Sequence, residues 1–408
     1  MLIQLDKFAI KLQNSRMWIQ RNAEPAVRQL AKQFPVVYVT GARQVGKTSI
    51  LMRLFPDYAY ATLDDPSLAA EAENAPADFL RSLGSAAIID EAQYAPGLFR
   101  HIKIIVDKEK KKGRFLITGS QSISLMHNLT ESLAGRCGIV SLQPLSAGEL
   151  AKAHALPSLE KYISTGGYPA LYAEKTGDRR RWYASYIATY LERDVRNILQ
   201  VGSLRDFNRF LRASASRTGR TLSLSDLARD VGVAPNTIKA WLSVLEASHM
   251  VYLLEPYHRS IGKRLVKSPK LYFLDTGLAA HLMGLDSWKE IEKSYAAGAL
   301  WETYAFNQIY SGLLAQGEID PPLYYWRTKD GEEVDFLVEK GGRFIAIEAK
   351  LTGAPAPGML RGIDALRAYY GEDAVIKSLL ICRVSKEHSL GKNIRAVNGI
   401  HLDFESLL

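Results

Sequence analysis

A chain of 408 residues, 47% hydrophobic and 23% charged, has room for two or three domains, and its composition is neither disordered nor fibrous. No apolar run approaches the roughly 18 residues of a bilayer span, no signal-peptide core opens the chain, and Cys137 and Cys382 are too few for a disulfide framework or zinc site. The net charge of +9 suits phosphate-bearing partners and equally an ordinary basic surface, so a cytoplasmic protein with no membrane partner is the expectation.

Residues 36–40, VVYVT, form the β-branched and aromatic run of a buried strand. Gly41, Ala42, Arg43, Gln44, Val45, Gly46, Lys47 and Thr48 follow and match G-x-x-x-x-G-K-[ST] at every position; Ser49 then leads into a helix. Such a strand, loop and helix lets successive backbone N–H groups converge on a phosphate, with the helix N-terminus adding partial positive charge. Lys47 is expected to reach the β- and γ-phosphates of ATP, and the Thr48 hydroxyl to ligate Mg2+.

The next strand, 86–91, ends in Asp90 and Glu91, adjacent carboxylates suited to holding Mg2+ and polarising an attacking water. A third, 114–120, ends in Thr118 and Ser120, either of which could sense the γ-phosphate. Arg136 follows an expected helix; it reads either as a charge-stabilising arginine offered to a neighbouring subunit or as a plain surface arginine. The segments GARQVGKT, IIDE, LITGS and SLAGR, with SLQPLSAGEL, GGYPA and YLERDVRN after them, resemble a family of AAA-type bacterial and archaeal ATPases that carry a C-terminal extension. The resemblance runs from about Arg21 to near the C-terminus and implies a homo-oligomer, a hexameric ring being one arrangement.

Residues 223–249 suggest a winged helix-turn-helix: Ser225 is expected to cap DLARDV, Gly232 to end it, and Asn236 to cap TIKAWLSVLEA before the strand MVYLL. Asn236, Thr237 and Lys239 would lie where groove contacts arise. Arginines at 179–220, among them Arg193, Arg196, Arg205, Arg209 and Arg212, could track a phosphate backbone or pair with nearby acids.

The last third alternates again: a helix carrying Glu302, a strand at 323–328, a strand carrying Asp335, and a strand carrying Glu348 and Lys350 on one face. This pattern resembles the PD-(D/E)xK nuclease fold, which implies that Glu302, Asp335 and Glu348 bind Mg2+ while Lys350 stands by the attacking water. An idle scaffold, or a plain Glu348–Lys350 ion pair, is the bland alternative.

The expected organisation is an α/β protein: an N-terminal extension at 1–20, an AAA-type P-loop ATPase domain with a parallel sheet at 21–155, and a helical connector at 156–220. A winged helix-turn-helix at 221–285 and a restriction-endonuclease-like α/β domain at 286–408 complete it. The leading function is an ATPase acting on nucleic acid, DNA ahead of RNA; the alternative is a nucleotide-dependent switch binding a protein partner through a non-catalytic nuclease-like scaffold.

Overall fold

The computed structural model describes residues 18–119, 132–173, 178–191, 203–258, 268–391 and 393–402. Ser120, Arg193 and Arg196 lie outside the described residues.

Alternating strands and helices wind the first unit into a five-stranded sheet of order β2-β3-β4-β1-β5, parallel throughout. Its elements are α1 (Glu24–Gln33), β1 (Val36–Thr40), α2 (Lys47–Leu54), β2 (Ala59–Thr62), α3 (Pro66–Asn74), α4 (Pro76–Ser82), β3 (Ala87–Asp90), α5 (Leu98–Glu109), β4 (Phe115–Thr118) and β5 (Cys137–Ser141). Every residue of β1 is buried, as a central parallel strand covered on both faces requires. Its side chains alternate between two cores: Val36 and Tyr38 join Ile89 and Phe99, while Val37 and Val39 join Ile50, Leu51 and Leu116. The carboxyl ends of β1, β3 and β4 therefore open on one edge, where ligands bind in open parallel sheets.

The connector holds α6 (Ala147–Lys152), α7 (Leu159–Thr165), α8 (Ala170–Ala173) and α9 (Arg179–Tyr186). The Gly166–Gly167 pair is a packing requirement: a Cβ on Gly166 would lie 2.3 Å from the Asp275 carboxylate, and one on Gly167 would lie 2.2 Å from the Leu145 carbonyl oxygen. Asp275 accepts from Gly167 N at 2.7 Å and from Tyr183 Oη at 2.6 Å, which ties this turn to the next unit.

That unit contains α10 (Leu204–Ala215), β6 (Arg220–Thr221), α11 (Leu224–Val231), α12 (Pro235–Ala247), β7 (Val251–Leu254), β8 (Lys270–Phe273) and α13 (Thr276–Leu282). Its strands pair antiparallel in the order β6-β8-β7. Two expected caps move. Ser223, not Ser225, caps α11, its side chain accepting from Asp226 N at 3.3 Å, while Gly232 ends the helix at φ 84°. Asn236 caps nothing, because Pro235 opens α12 with its φ preset, and Ala234 holds the N-cap position.

The last unit comprises α14 (Trp288–Lys293), α15 (Ala297–Ala315), β9 (Leu323–Arg327), β10 (Glu333–Lys340), β11 (Arg343–Ala349), α16 (Arg361–Tyr370), β12 (Val375–Ile381), β13 (His388–Gly391) and β14 (Ile394–Val397). Its mixed sheet runs β13-β14-β12-β11-β10-β9, with β11, β12 and β14 parallel.

The units are not beads on a string. One core cluster reaches from Ala23 to Val397. At the seam the Ala147 N–H donates to Gln308 on α15 at 3.0 Å, and Arg383 pairs with Glu160 and Glu292 at 3.1 and 3.0 Å.

Candidate active site

The chain leaves β1 at Thr40 and turns at once into the phosphate loop. Gly41, at φ 139°, passes so close to the chain after β5 that a Cβ would stand 2.1 Å from the Leu142 carbonyl oxygen. Gln44 and Gly46 also take positive φ, 64° and 95°, and Gly46 starts α2 in the left-handed region that glycine enters without strain.

Lys47 is the first residue of α2 and is 6% exposed; its Nζ donates to the carbonyls of Gly41 and Ala42 at 3.1 and 3.0 Å. Burial holds its ammonium below the usual lysine range, against the opposing pull of Glu91 and Asp90. Thr48 Oγ1 donates to Asp90 Oδ1 at 2.7 Å, joining the loop to the end of β3. Tyr60 Oη donates to Asp90 Oδ2 at 3.0 Å, and the Thr118 hydroxyl also donates to Asp90. Thr118 therefore serves the acid beside it from within the core. Ser120, the other candidate sensor, falls outside the described residues.

Glu91 follows β3 in a left-handed conformation, φ 53°, uncommon for a glutamate and often stored at functional sites. Its carboxylate accepts from Gln93 Nε2, and its N–H lies 3.4 Å from Thr118 Oγ1.

Arg136 lies elsewhere. Val36 pairs with Cys137 at the start of the sheet, and the Val36 N–H donates to the Arg136 carbonyl, so Arg136 marks the end opposite the loop. Five residues of strand, about 17 Å, separate the two ends. Arg136 forks onto Asp107 of α5, with Nε at 2.5 Å and Nη2 at 3.0 Å. Arg136 thus makes no approach to the nucleotide loop of its own chain.

Two residues that the motifs do not announce complete this site. Arg21, 5% exposed, donates to the Val45 carbonyl at 2.8 Å, the Gln143 carbonyl at 2.6 Å and Glu149 Oε1 at 3.1 Å. It clamps the loop to α6, whose capping box is Ser146 and Glu149. His249, in the turn between α12 and β7, puts Nε2 3.2 Å from Thr40 Oγ1. Burial, helped by the Lys47 charge, lowers its imidazole to about 4. An SxxE pattern after β5 was a readable signal for the Glu149 box; nothing local marked Arg21 or His249.

These groups fit a nucleotide phosphate with a divalent cation. A buried ammonium stands in a loop of positive-φ residues, and a hydroxyl and a carboxylate meet beside it.

The second expected cluster assembles as well, with an unforeseen member. Lys350 Nζ bridges Glu348 at 2.7 Å and Asp335 Oδ2 at 3.1 Å, and Asp335 also accepts from Ala349 N at 2.9 Å. Lys270, arriving from β8, is 3% exposed in its side chain and reaches Glu302 at 3.0 Å, Glu333 at 2.5 Å and Asp335 Oδ1 at 3.8 Å. Tyr272 Oη donates to Glu302. Burial, then the Asp335 charge, pushes Glu302 up to about 7 and raises Glu348 as well. Burial works to raise Asp335 too, but Lys270 and Lys350 outweigh it and hold that carboxyl below the usual aspartate range.

Glu302, Asp335 and Glu348 gather as expected, with two ammonium groups among them: Lys270 meets Glu302 and Asp335, and Lys350 meets Asp335 and Glu348. Among the described residues no group of three or more Asp, Glu, His or Cys is arranged to hold a metal ion. Also among the described residues, no helix is long and apolar enough to cross a membrane.

An AAA domain model matches residues 33–151, and two models described as domains of unknown function match 156–289 (DUF8612) and 297–400 (DUF4143). The uncharacterized proteins Rv2008c of Mycobacterium tuberculosis and Mb2031c of Mycobacterium bovis are each 35% identical over 347 residues, covering 83% of this chain and 75% of theirs. Among solved structures, the Walker-type ATPase PABY2304 of Pyrococcus abyssi is 16% identical with a TM-score of 0.43, covering 65% of this chain and 96% of its own. DnaA of Aquifex aeolicus, bound to AMPPCP, is 14% identical with a TM-score of 0.26, covering 60% and 89%.

Proposed function

This chain belongs to the family of AAA-domain proteins that includes Rv2008c and Mb2031c, and on that premise we propose that it is an Mg2+-dependent ATPase acting on nucleic acid, DNA ahead of RNA. One observation carries the hydrolytic part: Lys47 Nζ sits within the loop while Thr48 Oγ1 and Asp90 Oδ1 meet at 2.7 Å. Backbone N–H groups from Gly41 to Ser49 would receive the phosphates, and Lys47 would offset charge on the β- and γ-oxygens. Thr48 and Asp90 would hold Mg2+, which supplies further neutralisation of the same oxygens. Glu91 would orient and polarise the attacking water, with Gln93 fixing its carboxylate.

Action on nucleic acid rests on the middle unit. Two helices joined by a tight turn and backed by a three-stranded sheet suit a winged helix-turn-helix, and Asn236 and Lys239 stand exposed at the start of α12. In a homo-oligomeric ring, Arg136 would serve a neighbouring copy only by exchanging its Asp107 partner. The Lys270 contact favours one part of the second reading, a switch with a protein partner: it suits a nuclease-like scaffold that does not cut.

The test is ATP turnover by the full chain with and without single- and double-stranded DNA, beside Lys47→Ala. Stimulation by DNA that Lys47→Ala abolishes supports the proposal. Full turnover in Lys47→Ala would overturn the loop assignment, and steady turnover indifferent to DNA and RNA would transfer the reading to the switch.

A further inference from the structure

We propose that Lys270 is the built-in cation of the C-terminal acid cluster, making that cluster a latch between the middle and last units, closed to divalent metal, rather than a standing metal centre. Three carboxylates from two elements, Glu302 on α15 and Glu333 and Asp335 on β10, aim oxygens at one Nζ, at 3.0, 2.5 and 3.8 Å. A hard divalent cation needs several oxygens at about 2.0–2.6 Å around a common point. Here that point holds a nitrogen. The second oxygen of Asp335 goes to Lys350, which also takes Glu348, so each oxygen of the central aspartate faces an ammonium, Lys350 at 3.1 Å and Lys270 at 3.8 Å. Four acids are thus opposed by two lysines, with Arg327 Nη1 3.6 Å from Glu333 at the rim.

Lys270 is poorly placed to leave by side-chain rotation. It lies on the middle strand of its sheet, paired with Thr221 on one side and Leu254 on the other. The Tyr325 ring, centred 5.5 Å from Nζ, covers it. Gly362, at the start of α16, closes the far side: a Cβ there would lie 1.8 Å from the Glu333 carbonyl oxygen and 2.8 Å from Glu348 Oε1. Opening the cluster requires β8 to separate from β10 and α15, a movement of one unit against the other. The inference is independent of ATP hydrolysis, so its failure would leave the proposed ATPase untouched.

The experiment is Mn2+ binding, followed by electron paramagnetic resonance, to the nucleotide-free full chain carrying Asp90→Asn to silence the phosphate loop. The latch predicts no Asp335-dependent binding at sub-millimolar Mn2+. It also predicts that Lys270→Met gains binding at least tenfold tighter, which adding Asp335→Asn removes. Asp335-dependent Mn2+ binding in the parent overturns the proposal, as does a Lys270→Met chain that keeps its circular dichroism and cooperative melting yet gains no site. Should Lys270→Met not fold, the parent alone decides through its melting temperature. No Mn2+-induced rise supports the latch, and a rise that Asp335→Asn abolishes refutes it.

Discussion

Replacing Arg21 with methionine tests whether a residue outside the nucleotide motifs holds the phosphate loop in shape. The substitution removes three buried contacts: to Val45 O at 2.8 Å, to Gln143 O at 2.6 Å and to Glu149 at 3.1 Å. Breaking a buried ion pair from one side costs about 3–5 kcal/mol, because the remaining charge is left in a dry site. Glu149 keeps the N–H groups of Asn22 at 2.7 Å and Ser146 at 2.8 Å, which places the loss near the low end, about 3 kcal/mol. At roughly 2–4 °C per kcal/mol for a unit of 150–250 residues, the melting temperature should fall by about 6–12 °C. The KM for ATP should rise as well, since Val45 lies inside the loop. Scanning fluorimetry and steady-state ATP turnover read both effects. A melting temperature within about 1 °C of the parent, with KM unchanged, would refute the clamp.

Glu91→Gln should retain ATP binding while turnover falls roughly 10²–10⁴-fold, the usual yield of a positioned base; undiminished turnover would move the water-polarising role to another group. His249 stays neutral in the folded chain down to about 4, whereas a free imidazole titrates near 6.5. The unfolded chain therefore binds more protons between those values, and this share of stability, complete above about pH 6.5, is lost as pH falls towards 4. The melting temperature should drop from pH 7 to pH 5 more steeply in the parent than in His249→Gln, and equal slopes would remove His249 from the account. Gly148→Ala should destabilise by about 1–3 kcal/mol, because its Cβ would lie 2.7 Å from the Ile400 carbonyl oxygen. An unchanged melting temperature would mean that this seam yields freely.

Local patterns carried the first unit. The phosphate loop, β1 and the acids ending β3 are each signalled within a few residues, by spacing, β-branching and glycine placement, and the structure places Lys47, Thr48 and Asp90 together. The helix pair of the middle unit was similarly readable, although Pro235 displaced the expected cap. Contacts between residues far apart in sequence were not readable. Arg21 meets Gln143 and Glu149 across more than 120 positions, Thr40 meets His249 across 209, and no local periodicity encodes such pairings. Lys270 is the plainest case. It sits in an unremarkable KLYF strand, and only the docking of β8 against β10 reveals that it stands where a metal was expected. Arg136 shows the reverse: its motif is local, but only the start of β5 shows that it lies at the end of the sheet opposite its own phosphate loop.

The core cluster that runs from Ala23 to Val397 has a consequence for engineering. Grafting the phosphate-loop unit and its connector onto another C-terminal domain would cut through Gln308, Gly148 and Arg383 together, leaving a backbone N–H, a glycine-wide gap and Glu160 without their counterparts. A viable chimaera must carry α15 and the Ile400 turn along with α6. The heritable module is then the seam, and variants that exchange whole blocks between relatives should tolerate crossovers in the surface loops of the terminal sheet far better than at the unit boundaries.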